Sequence, residues 1–133
     1  MNKSLSGKSL ICASAFLFTF VLGSAAIAQQ LSGPQKNAVR SAQSYLAFAA
    51  FSRDGLIDQL SSEYGDGYEV SDATIAVDSL NVDWSQQAAK AARQYLEFSG
   101  FSCRGLIDQL SSEYGDQYTK DQATYGAHQT DAC

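Results

Sequence analysis

The chain has 133 residues, a formal net charge of −5 and a sequence pI near 4.6. That length fits one domain or two small ones. The acidic balance argues against nucleic acid as a partner, because phosphate binding needs clustered Lys and Arg.

The first stretch reads as an export signal. Lys3 and Lys8 form a positive start, Leu10 to Leu22 is almost wholly apolar, and Ala26-Ile27-Ala28 is an A-x-A site. This predicts a secretory signal peptide, residues 1–28, cleaved after Ala28. The alternative is an uncleaved N-terminal helix that anchors the chain, since the apolar run is near the lower limit for a span. Cys12 follows the large Ile11 and lies at the start of the apolar core, which makes it a poor lipidation site. Cleavage removes Lys3 and Lys8 and no acid, so the net charge passes from −5 to −7. The exported chain is expected to be secreted or periplasmic, where transient proximity to the membrane surface is possible.

The remainder is a duplication. A shift of fifty aligns Pro34–Asp83 with Trp84–Cys133 without a gap, and GLIDQLSSEYGD recurs unchanged at Gly55–Asp66 and Gly105–Asp116. A repeat without insertions implies one structural unit used twice. We divide the chain into a signal peptide (1–28), a first helical repeat (29–83) and a second (84–133). Units this small are marginal alone, so the two are expected to pack on each other or to share a continuous helix.

Within a unit the period is helical. Ala38, Ala42, Tyr45, Leu46 and Ala49 fall on one helix face, and Pro34 suits the first helical turn. Ser52 reads as the N-cap of a second helix, on which Leu56, Ile57, Leu60 and Tyr64 share a face. Gly65 is expected as the left-handed residue that ends it. A third helix is predicted from Ser71, with Ala73, Ala76, Val77 and Leu80 inward. Asp83 then caps the next helix, and Gln86 completes a capping-box-like pattern. No stretch alternates with period two for long, so the predicted fold class is all-α: two tandem three-helix, helix-turn-helix-like repeats. Trp84, the one tryptophan, is expected to anchor the junction between them.

The set Tyr45-Leu46, Phe51-Ser52, Gly55-Leu56-Ile57-Asp58-Gln59-Leu60, Tyr64-Gly65, Ala73, Asp83-Trp84 and Gln87-Ala88, followed by a second copy, resembles the Ltp-like family of host cell surface-exposed lipoproteins. The resemblance implies tandem helix-turn-helix-like units. It also implies the role of phage-encoded members, superinfection exclusion: such proteins sit outside the cytoplasmic membrane and block entry of incoming phage DNA, engaging the tape measure protein. The chain departs from the family in lacking a lipobox.

No enzyme is expected. His128 is the one histidine and has no counterpart in the first repeat, where Asp78 stands; there is no CxxC or HExxH pattern. Glu63, Asp66, Glu69 and Asp72 do not follow the order of a calcium loop. No cofactor or metal is expected. Cys103 replaces Arg53 and Cys133 replaces Asp83, so a possible Arg53–Asp83 pair corresponds to a disulfide, Cys103–Cys133, if the second and third helices run antiparallel. Gly126, Ala127 and Thr130 replace Ala76, Val77 and Leu80, and the staple would offset that lost burial. The rival is an intermolecular bond through Cys133. Helix-surface residues drift between duplicated units unless something holds them, so Asp58, Gln59 and Glu63, with Asp108, Gln109 and Glu113, are the candidate contacts with a protein partner. The alternative function is a housekeeping cell-envelope interaction module with no antiviral role.

Overall fold

The computed structural model describes residues 30–133. The signal-peptide and Cys12 readings lie outside them. Six helices follow in order: α1 (Gly33–Phe48), α2 (Arg53–Ser61), α3 (Val70–Asp78), α4 (Trp84–Phe98), α5 (Cys103–Ser111) and α6 (Lys120–His128). There is no strand among the described residues. No helix there is long and apolar enough to cross a membrane.

Caps set the helix starts. Ser32 and Gln35 form a reciprocal capping box before α1, as do Thr119 and Gln122 before α6. Ser52 and Ser102 accept from the amides of Gly55 and Gly105 at 2.9 and 3.1 Å. Asp83 accepts from Gln86 N at 3.0 Å, but the return bond of a full box is not made.

In each repeat the third helix packs on the other two: α3 on α1 and α2, α6 on α4 and α5. Copy one builds its core from Ala42, Leu56, Ile57, Leu60, Ala73 and Val77. Copy two uses Ala88, Ala91, Ala92, Leu106, Leu110, Tyr118, Ala123 and Ala127. The alanines bring the helix axes close, and the leucines fill the space under α2 and α5. The repeats do not share a helix, since α3 ends at Asp78 and α4 begins at Trp84. Nor do they merge cores. Each lends the other one apolar residue: Trp84 packs against the first core and Ala50 against the second. Trp84 is thus the expected junction anchor.

Three readings need correction. Tyr64 is not on the buried face of α2 but 100% exposed. The helix stops at Ser61, and Ser62, extended at ψ 142°, turns its hydroxyl back to accept from Tyr64 N at 3.1 Å. The helical period therefore ends before it reaches Tyr64. Gly65 is not left-handed; that role falls to Gly67 (φ 66°) and, in copy two, to Gln117 (φ 60°). Gly65 and Gly115 are required for space, because a Cβ at either would overlap the carbonyl oxygen of Gln59 or Gln109. Finally, Arg53 pairs with Asp78, not Asp83, through bonds of 2.6 and 2.8 Å. Asp78 ends α3 beside the start of α2, while Asp83 is committed to capping α4.

Copy two carries the Cys103–Cys133 disulfide, with Cα atoms 4.6 Å apart. It closes a loop with a sequence separation of 30; in the chain-entropy model such a loop contributes roughly 3–4 kcal/mol. Gly126 is not simply lost burial. A Cβ there would lie 2.6 Å from the Ala88 backbone, so the glycine lets α6 settle directly on α4.

Candidate functional site

The repeated block has an internal job that its sequence concealed. Gln59 Nε2 donates to the Tyr45 hydroxyl at 3.3 Å, and that hydroxyl donates to Asp66 Oδ1 at 2.9 Å. Asp66 N returns to the Gln59 carbonyl at 3.3 Å. The same cycle joins Gln109, Tyr95 and Asp116 at 3.2, 3.0 and 3.4 Å. It ties the turn after the second helix to the end of the first helix. Ser61 and Ser111 bond back to the carbonyls of Ile57 and Ile107, both at 2.8 Å. Gln59 and Gln109 are therefore structural, and each is half-buried.

The acidic members behave differently. Asp58 accepts from Gln117 Nε2 at 2.9 Å, a bond between the repeats. Asp108, its counterpart, pairs instead with Lys120 at 2.9 Å, which holds its carboxyl below the usual range. Glu63 and Glu113 are exposed. Beside them stand Tyr64 and Tyr114, 100% and 93% exposed.

The tandem geometry makes copy-one α2 face the turn between α5 and α6 of copy two. Between them runs a cleft of about 350 Å³, lined on one side by Ser52, Gly55, Asp58, Gln59 and Ser62 and on the other by Gly115, Asp116 and Gln117. A contiguous groove of about 200 Å³ shares Ala50 and Asp116 and is edged by Tyr95 and Phe98. The two copies of one motif thus meet across one cleft. Of the sequence candidates, Asp58 and Gln59 line it; Glu63, Asp108, Gln109 and Glu113 do not.

Asp116 is the unusual group here. Burial pushes its carboxyl up, only partly countered by the Tyr95 hydroxyl, and its Oδ2 is buried without a partner. Burial and Asp116 in turn raise the Tyr95 phenol. In copy one the Arg53 guanidinium holds Asp78 below the usual carboxylate range. Asp116, Gln117 and Phe98 were not singled out from sequence. Asp116 belongs to the repeated block, so its signal was present; Gln117 replaces a glycine and carried none.

One group of potential metal ligands occurs among the described residues, Cys103, His128 and Cys133, and it shares no residue with the cleft.

A family model described as host cell surface-exposed lipoprotein matches twice, over residues 34–80 and 83–129. Among solved structures the chain is similar to Ltp, a superinfection exclusion protein from the Streptococcus thermophilus temperate phage TP-J34. Identity is 28%, the match covers 76% of this chain and 99% of that chain, and the TM-score is 0.68. No curated protein sequence matches.

Proposed function

The chain belongs to the host cell surface-exposed lipoprotein family, and from that premise we propose that it is an exported binding module for superinfection exclusion. It blocks entry of incoming phage DNA by holding a phage protein, such as the tape measure protein, in the cleft between its repeats. The carrying observation is that cleft: two copies of an unchanged motif converge on it, with Asp58 and Asp116 supplying negative charge and no basic residue among its lining. Exposed tyrosines stand next to it in sequence, Tyr64 two residues after Ser62 and Tyr114 directly before Gly115. Aromatic anchors beside a polar, acidic groove suit a basic protein segment, because the charge guides encounter and the rings supply contact area. The acidic net charge acts in the same direction over longer range.

The test is expression in a phage-sensitive host, with phage adsorption and DNA entry measured separately. Adsorption is expected to be unchanged and entry reduced. Asp58→Lys reverses charge in the cleft without touching the core and is expected to restore entry while the protein is still exported. If entry is unaffected by the parent chain across a broad phage panel, the reading fails and a housekeeping envelope role takes its place.

A further inference from the structure

Three positions that differ between the repeats fall at one locus. Arg53, Asp78 and Asp83 of copy one correspond to Cys103, His128 and Cys133 of copy two. In copy one the first two make an ion pair. In copy two a ligand atom from each of the three lies within 4.8 Å of the others. Cys103 opens α5, His128 is the last residue of α6, and Cys133 follows five residues later. The chain's one histidine and two of its three cysteines therefore meet at one place. The disulfide needs no histidine, and the His128 imidazole makes no hydrogen bond to another described side chain.

We propose that this locus is a redox-gated zinc site, closed as the disulfide and opened by a dithiol reductant. The reductant gives two electrons and two protons to the S–S bond and becomes a disulfide itself, leaving two thiols. Binding of Zn²⁺ then releases both thiol protons. Two thiolates and the neutral imidazole hold the ion, their two negative charges balance it, and water occupies a fourth position. This donor set suits Zn²⁺, which accepts sulfur and nitrogen in tetrahedral geometry. Zn–S near 2.3 Å and Zn–N near 2.0–2.1 Å bring ligand atoms to roughly 3.4–3.8 Å of one another. The present spread of up to 4.8 Å requires only a small closing movement of His128 and a parting of the sulfurs. Cys133 supplies it, because the backbone beyond α6 is not held in a helix. Spacings of 25 and 5 residues match no short metal motif, which is why sequence alone gave no sign of the site.

The experiment uses the full chain carrying Cys12→Ser, so that the leader contributes no thiol. Zn²⁺ is titrated against a chromophoric chelator, with the protein either oxidised or reduced by a phosphine. Co²⁺ serves as the spectroscopic probe. The expected result is one Zn²⁺ per reduced chain, and a Co²⁺ form with thiolate-to-metal charge-transfer bands. The oxidised chain is expected to bind at least about tenfold more weakly and to show no such bands. His128→Ala leaves the thiols and the disulfide intact and is expected to weaken the reduced site by about tenfold or more. Helical circular dichroism of each variant checks that the fold is kept. Equal Zn²⁺ affinity in the oxidised and reduced chains, an unchanged affinity in the folded His128→Ala variant, or one ion bridging two chains would each overturn the assignment.

Discussion

Tyr68 and Tyr118 are equivalent residues in different circumstances. The Tyr68 hydroxyl lies 3.3 Å from Ser41 Oγ. Ala91 replaces that serine in copy two, and the Tyr118 hydroxyl is buried with no partner on a side chain only 3% exposed. Restoring the serine, Ala91→Ser, is therefore expected to stabilise the protein. A buried hydroxyl left without a bond costs roughly 1–3 kcal/mol on the scale of protein substitutions, and a new hydrogen bond contributes about 1 kcal/mol net. Against this, serine in a helix interior costs about 0.5 kcal/mol relative to alanine. The relief and the new bond are the same hydroxyl finding a partner and are not summed; the low end of that relief, less the helix cost, leaves a gain of about 0.5–1 kcal/mol, or roughly 2–8 °C in Tm for a domain of this size.

The assay is urea unfolding followed by helical circular dichroism, run as a double-mutant cycle with Tyr118→Phe. That second change removes a hydroxyl that bonds nothing, so on its own it is expected to be neutral or stabilising. Combined with Ala91→Ser it leaves the serine without its partner, and the gain should vanish. A coupling of about 1 kcal/mol between the two sites is the expected signature. If Ala91→Ser destabilises the chain, or the cycle shows no coupling, Tyr118 does not sit unpaired beside position 91 and the reasoning is refuted.

Other substitutions read other contacts. Gly126→Ala gains about 1 kcal/mol of helix propensity, but its Cβ meets the Ala88 backbone, and overpacking costs about 1–3 kcal/mol; a net loss is expected in denaturant unfolding, and a net gain would show that α4 and α6 are not in contact there. Asp116 and Asp78 should respond to pH with opposite signs. The folded Asp116 carboxyl sits above its unfolded value, so it favours folding most in acid and opposes it as pH rises through the folded value. Asp116→Asn is thus expected to raise Tm at neutral pH and to lose that advantage in acid. Asp78 is held low by Arg53, so its contribution is present at neutral pH and lost as pH falls through the folded value. Asp78→Asn should cost at most about 1 kcal/mol at neutral pH, because the pair is exposed and screened, and nothing below the carboxylate range. Tm profiles from pH 7 downward that moved in parallel for the two variants would contradict both assignments.

The helices were legible because their signals are local. Serine and aspartate caps, alanine and leucine periods and Pro34 placed the starts of α1, α2 and α4 within a residue or two, and the gapless repeat carried the same reading to copy two. What failed was an inference that ran past a local stop. The period that makes Leu56, Ile57 and Leu60 a face also points to Tyr64, but Ser62 ends the helix first. The cleft was not legible at all. It depends on how residues 79–83 turn one repeat against the other, and no residue there carries a pattern that fixes the angle. Asp58 was singled out for not drifting, yet its bonding partner, Gln117, lies 59 residues away.

The unchanged block can now be divided by duty. Leu56, Ile57 and Leu60 fill the core, Gln59 and Asp66 hold Tyr45, Ser61 and Ser62 finish the helix, and Gly65 makes room for a carbonyl. Asp58 and Asp108 bond to different partners, so a shared contact within the chain does not account for their identity. Glu63-Tyr64 and Glu113-Tyr114 have no internal duty for their exposed side chains, yet both pairs are kept. Two identical knobs on one chain suit a partner that presents two equivalent features, and the second contact then forms at the high effective concentration set by the first. On the proposed function, Tyr64→Ala and Tyr114→Ala should each weaken protection against DNA entry, and the double variant should abolish it. Because both rings are exposed, none of the three should lower stability by more than about 0.5 kcal/mol in denaturant unfolding. Full protection in a folded, exported double variant would leave the aromatic knobs without a role and confine partner contact to the cleft itself.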